Sequence, residues 1–313
     1  MNKLIRLLAL GAVLAVPAGL DAKIIRTVEK TFAVQPGGNF KAVTSGGEIV
    51  VKTADVAEVR VTARETIRAS SDQEADELLK SLDLTFEQQG NDVTVGAKYE
   101  KSSFGFHFGS WPPVQVSFLV TVPRNFNVNL ATSGGDIEVA SLTGNVRART
   151  SGGGLKFERI DGEVDGDTSG GDIFLKEGTA RAHLTTSGGN ITVERAGGPT
   201  EVSTSGGNVT INSVAHLVSA TTSGGDVRAV LSAPLQQDAV LSTSGGNVTV
   251  QVLKSAGFLL DAHTSGGEVD AAGVTLTIDQ GGVGNSHLVG AVNGGGPRLK
   301  LRSSGGDIRI HAD

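Results

Sequence analysis

Cysteine is missing altogether from the 313 residues. Export into an oxidising compartment would therefore bring no disulfides, and the fold has to be held by other means. Aromatic residues make up only 4% of the chain, with one Trp and one Tyr, and proline is scarce at 8 residues. An excess of basic residues is lacking too: 27 Lys and Arg against 33 Asp and Glu give a formal charge of -6. Without a basic stripe nothing can neutralise phosphates, which argues against nucleic acid as a partner. Beyond the N-terminus no run is apolar enough for a membrane-spanning helix, which needs about 20 residues. The mature chain is expected to have no transmembrane segment.

What the N-terminus does have is the pattern of an export signal. Lys3 and Arg6 give a positive start, Leu7 to Val16 is apolar and uncharged, and Ala18 and Ala22 offer small residues for cleavage. Residues 1–22 are read as a signal peptide cleaved after one of those two, the alternative being a retained anchor. Loss of Lys3, Arg6 and Asp21 removes a net +1, so the mature charge moves from -6 to -7. With no cysteine there, a lipid-modified N-terminus is excluded. The expected location is outside the cytoplasm, periplasmic or extracellular. No sorting signal or translocator follows the last repeat, which favours the periplasm.

Glycine is abundant at 44 residues, about twice the average usage of roughly 7%. Its placement is periodic. Thr-Ser-Gly-Gly begins at Thr132, Thr150, Thr168, Thr186, Thr204 and Thr222, each 18 residues after the last, then at Thr243 and Thr264 at intervals of 21. An earlier copy starts at Thr44, and Ser303-Ser304-Gly305-Gly306 closes the series. Five positions after each Thr stands an apolar residue (Ile137, Leu155, Ile173, Ile191, Val209, Val227, Val248), with polar residues such as Glu138 and Lys156 between the inward positions. Alternation of period two marks strands with one buried face. One unit cannot bury that face alone, but stacked units share a continuous core. The expected fold is an all-β, single-stranded β-solenoid with coils of 18 to 21 residues, stacked consecutively over residues 126–313 into a rod about 45 Å long.

The T-S-G-G-[D/N] unit reads as the corner of each coil: Thr132, Ser133, Gly134, Gly135 and Asp136, then Gly170, Gly171 and Asp172, then Gly188, Gly189 and Asn190. Paired glycines suit positive φ, and Asp or Asn suits a turn bonded to its own backbone. Hydroxyls and amides are expected to bond to their copies in the next coil. The longer units place their extra residues around Ser232–Asp238 and Lys254–Leu260, predicting bulges. Residues 23–125 read as a cap and first coils, with a Ser-capped amphipathic helix near 72–82.

The repeated T-S-G-G-[D/N]-[I/V] units resemble the bacterial putative-adhesin family of β-strand repeat proteins, a domain of unknown function. Val122-Pro123 leading into Asn127–Thr132, the helix near 72–82 and the closing Gly294-Gly295-Gly296-Pro297 carry the likeness as well. The resemblance implies a β-helical binding or structural protein and brings no catalytic residues with it.

Three chemistries compete for the polar groups. The corner row of Glu48, Asp136, Asp172, Asn190, Asn208, Asp226, Asn247, Glu268 and Asp307 could hold calcium as a β-roll does, but the tandem G-G-x-G-x-D pattern is missing. The same carboxylates could serve a polysaccharide-processing β-helix enzyme, yet repeated sites are alike, and acid–base work needs pKa values pushed apart. His107, His183, His216, His263, His287 and His311 show no ligand spacing. No cofactor is implied. The one break in the pattern is Phe104-Gly-Phe106-His-Phe108-Gly-Ser-Trp111, which either closes the end of the core or contacts a partner. The expected function is a non-catalytic envelope module whose partner is an envelope protein or a surface glycan.

Overall fold

The computed structural model describes residues 23–99, 113–278 and 283–313. These form 27 strands and one α-helix, joined by backbone pairing into one continuous network. The protein is all-β and solenoid-like, as the repeat predicts.

Pairing follows the repeat. Val146–Thr150 lies parallel to Val164–Thr168, which lies parallel to Ala182–Thr186. Beyond the corner, Leu155 faces Ile173, and Ile173 faces Ile191. In such a ladder each side chain sits over its counterpart about 4.8 Å away. The alternation in the sequence therefore becomes apolar columns: Ile137, Leu155, Ile173, Ile191, Val209, Val227 and Val248 are all at most 2% exposed. Neighbouring columns interlock by size. Gly166 has no side chain, and a Cβ there would lie 3.1 Å from the buried Phe157 ring, so its absence makes room for that ring.

Each coil has three sides. Leu155, Lys156 and Phe157 alternate inward and outward, then Glu158 and Arg159 both stay out of the core before Ile160 turns in again. Two successive outward residues break the period of two and mark a bend. The short third side carries its own column of Leu142, Ile160, Ala196 and Val214.

Both ends change pairing direction. At the N-terminal end Gly38–Thr44 stacks on Phe126–Thr132, and Asp92–Tyr99 stacks on Gly38–Thr44. Leu82–Gln89 then closes that side antiparallel. On the adjoining side Glu58–Arg68 lies antiparallel to Val114–Pro123, and Lys23–Ala33 antiparallel to Glu58–Arg68. The helix spans Asp72–Leu79, where Ser71 Oγ accepts from the Glu74 amide at 3.2 Å and Glu74 reaches back to the Ser70 amide at 2.7 Å. This reciprocal capping fixes where the helix begins. An open parallel edge invites further pairing, and these antiparallel strands cover it.

The C-terminal end departs from simple winding. Phe258–Thr264 does not stack on Ala239–Thr243. Between them lies Arg298–Ser303, parallel to both. On the adjoining side Ile308–Ala312 is likewise held between Val248–Val252 and Val269–Ala272. The last coil in the chain is thus the penultimate coil in space, which corrects the expectation of consecutive stacking. The extra residues near Lys254–Leu260 explain how: the chain must climb two coil rises, about 9.6 Å, in place of one. It returns through Asn293, Gly294, Gly295 and Gly296, all with positive φ, before Pro297. Asn293 Nδ2 ties the return to the outward step, donating to the Lys254 and Ala256 carbonyls at 2.7 and 2.9 Å. The antiparallel strand His287–Val292 then covers Phe258–Thr264.

Candidate binding surface

The repeated corner holds coils to one another. Thr186 is 2% exposed, and its Oγ1 donates to the Gly171 carbonyl of the preceding coil at 2.9 Å while accepting from the Gly189 amide at 3.3 Å. The same two bonds recur from Thr132 to Thr264. Asp172 Oδ1 accepts from the Asn190 amide at 2.6 Å, and Asn190 Oδ1 from the Asn208 amide at 2.9 Å. Asp136 does the same for the Gly154 amide at 2.7 Å. Corner hydroxyls therefore bond both to a carbonyl one coil away and to their own turn, while corner carboxylates and amides bond mostly to backbone one coil away, with Asn190 Nδ2 and Asn247 Nδ2 also donating to their counterparts Asp172 and Asp226 at 3.2 Å.

The glycines have a different reason from the one expected. Gly134, Gly135, Gly170, Gly171, Gly188 and Gly189 are not among the positive-φ residues. What demands the second glycine of each pair is stacking: a Cβ on Gly171 would stand 2.0 Å from the Gly153 carbonyl oxygen, and one on Gly189 would stand 2.0 Å from that of Gly171. The first glycine is freer, since a Cβ on Gly170 would find its nearest neighbour at 3.5 Å. Ser133 and its counterparts point outward.

The outward columns vary from coil to coil. One runs Glu138, Lys156, Phe174, Thr192 and Thr210. Phe174 is the one aromatic side chain in an outward column among the described coils, and it lies half-buried on the surface. Beside it, Lys176 Nζ donates to Glu158 at 2.8 Å, and Asn212 donates to Glu194 at 2.9 Å. The Lys176 ammonium holds the Glu158 carboxyl below its ordinary value. Arg195 pairs with Glu177 at 3.5 Å. Because Thr192 and Ser213 are short, these longer side chains enclose a shallow groove of about 650 Å³ lined by Glu158, Phe174, Lys176, Glu194, Arg195 and Ser213.

A second groove of about 420 Å³ lies at the C-terminal cap, between Leu259, Val289, Ala291 and Arg298. Asp261 lines it too and accepts from Arg302 at 2.8 Å, which keeps the Asp261 carboxyl below its ordinary value. In the N-terminal cap Glu65 occupies an inward position of Glu58–Arg68 at 6% exposure. Burial raises its pKa, opposed by Arg26 directly across the ladder. Arg26 is itself shared with Asp76 at 2.7 Å.

The histidines do not converge. His183 lies 3.3 Å from Glu201, His216 stands opposite Pro199, and His263 faces His287 across the antiparallel pair. Among the described residues no three His, Asp or Glu side chains gather as a metal site would require. Phe104, Phe106, Phe108 and Trp111, together with His107, lie outside the described residues. Phe174 is a position that sequence reasoning passed over. Its signal was present, an aromatic in the column otherwise filled by Glu138, Lys156 and Thr192.

A repeat stack with one shared core, whose repeated polar motif is consumed internally, defines a solenoid-like β-repeat protein. Residues 46–311 match the family described as Toastrack DUF4097, and the chain belongs to that family. No curated protein matches it. Among solved structures, a putative lipid binding protein from Parabacteroides distasonis is 16% identical, with 91% of this chain and 96% of that one covered and a TM-score of 0.40. A putative adhesin from Bacteroides fragilis is 11% identical, with coverages of 91% and 97% and a TM-score of 0.38. A putative cell adhesion protein from Clostridium sporogenes is 11% identical, with coverages of 92% and 100% and a TM-score of 0.23. No helix among the described residues is long and apolar enough to cross a membrane.

Proposed function

We propose that this is an exported, non-catalytic protein of the cell envelope, a binding or structural module in the manner of an adhesin. In this reading residues 1–22 direct export, 23–125 form the cap and first coils, and 126–313 form a single-stranded β-helix of 18- to 21-residue coils. One observation carries it. The polar groups of the corner, the only repeated candidates for chemistry, are bonded from coil to coil, so the repeat maintains a long rigid surface. Variation is left to the outward columns, where a partner would be recognised. The partner class is an envelope protein or a surface glycan.

The polysaccharide-cleaving alternative meets an obstacle in the groove beside Phe174. Cleavage of a glycosidic bond needs a proton-bearing carboxyl beside an ionised one. Lys176 favours the ionised form of Glu158, which argues against that residue as the acid. Fractionation of cells producing the full chain tests the proposal. Recovery from the periplasm or the cell exterior, shortened at residue 18 or 22, is the expected result. Recovery of the uncut chain from the cytoplasm alone would overturn it.

A further inference from the structure

Phe174 is out of place by the logic of the stack. Outward columns of a solenoid face water, and an aromatic ring there leaves apolar area exposed. The other described phenylalanines are inside the core or the caps: Phe40, Phe118, Phe126, Phe157 and Phe258 are at most 1% exposed, and Phe32 and Phe86 pack against the core from the N-terminal strands. Phe174 instead lines the groove together with Glu158, Lys176, Glu194 and Arg195. Its neighbours along the column are Lys156 on one side and Thr192 on the other. Toward Thr192 and Thr210 the surface drops away, because those side chains are short.

We infer that this groove binds a neutral hexopyranose unit of a glycan, with Phe174 as the stacking platform. The class of ligand follows from three features of the walls. A pyranose ring offers one face of C–H bonds, whose weakly positive hydrogens suit the negative face of an aromatic ring. Its rim carries hydroxyls that both donate and accept, and the groove supplies both kinds of partner: carboxylates at Glu158 and Glu194, and N–H donors at Lys176 and Arg195. Charge selects against ionic sugars. The lining holds two acids and two bases. Their formal charges cancel, with Lys176 paired to Glu158 at 2.8 Å, so the lining as a whole favours neither a uronate nor an amino sugar. The columns continue beyond the groove in both directions through coils about 4.8 Å apart, which suits a chain of sugars better than a free monosaccharide.

The inference rests on the proposed binding role and names the ligand class and its site. Its test is titration calorimetry of the full chain, with cellopentaose and maltopentaose as neutral probes and oligogalacturonate as the anionic one. The expected result is binding of a neutral pentasaccharide, weakened about tenfold by Phe174→Ala and kept by Phe174→Tyr, the loss of one aromatic contact. Thermal unfolding of Phe174→Ala should match the parent, since the ring is outside the core. Equal binding by the parent and Phe174→Ala, tighter binding of oligogalacturonate, or no binding of either neutral probe would each overturn the site. None of these results bears on export, which the fractionation experiment reads separately.

Discussion

The middle of the stack and its C-terminal end are built from the same unit, yet they use it differently. From Thr150 to Thr243 each coil rests on the one before it in the chain. At the end the Ser303 coil enters between the Thr243 and Thr264 coils. The corner bonds do not register the change: Ser303 Oγ donates to the Gly246 carbonyl at 2.8 Å, and Thr264 Oγ1 to that of Gly306 at 2.7 Å. Asp307 continues the carboxylate and amide series, its amide bonded to Asn247 Oδ1 at 2.9 Å and its Oδ1 accepting from the Glu268 amide at 3.1 Å. A coil is thus interchangeable at its corner, and what decides order is the length and backbone freedom of the connecting segments. Eighteen residues reach the next level. The step after Val252 and the glycine return at 293–296 reach past it and come back.

Substitutions can break this comparison, and the largest effect is expected at the second glycine of a corner. Gly171→Ala drives a Cβ into the Gly153 carbonyl and should cost more than about 4 kcal/mol by urea denaturation. Gly170→Ala, with open contact distances, should stay within about 0.5 kcal/mol. Equal effects at the two positions would refute the packing account of the pair. Next comes the interleaved coil. Amides of Leu301 and Ile310, paired on both sides, should exchange with solvent nearly as slowly as those of the middle coils. Amides of 270–272, in a strand that pairs with Ile308–Ala312 alone, should exchange much faster. Thr186→Val removes a buried donor and should cost about 2 kcal/mol, whereas exposed Ser187→Ala should be near neutral.

A smaller effect, of opposite sign, is expected at Glu65. Its pKa in the folded protein is raised by burial, so the folded state binds the proton more tightly than the unfolded one. The stability linked to that proton is present below the ordinary glutamate value of 4.5 and is lost as pH rises through the folded value. Glu65→Gln should therefore raise the melting temperature at pH 7, and the gain should disappear as pH falls toward 4.5. Smallest of all is metal removal. Melting with excess EDTA should match melting without it within about 1 °C, and a larger drop would revive the calcium-stabilised reading.

Much of the stack was legible because its period is strict. The column of Ile137, Leu155, Ile173 and Ile191 could be read by alignment of the copies, and every member is buried. The Ser-capped helix was legible too, because its start signal is local. The coil order was not, since periodicity says that units stack but not which unit touches which. The role of the glycines was misread for a similar reason. Their close neighbours are backbone atoms 18 residues away, and a turn considered alone suggests positive φ in place of contact. At the candidate site, attention went to Phe104–Trp111 because the repeat breaks there. Phe174 sits inside an unbroken repeat, where only its column reveals that a water-facing position holds a ring.

The interleaved coil also changes how the molecule would bear a load. In a rod wound in simple order, traction on the last residue peels the end coil away one hydrogen bond at a time. Here the final coil is gripped on both edges, and traction at Asp313 must slide it lengthwise past two ladders at once. Many bonds then have to yield together before any can. Forced rupture follows the unfolding rate rather than the equilibrium stability. An anchor point at the C-terminus would give this protein a tether that resists pulling out of proportion to the size of its last coil.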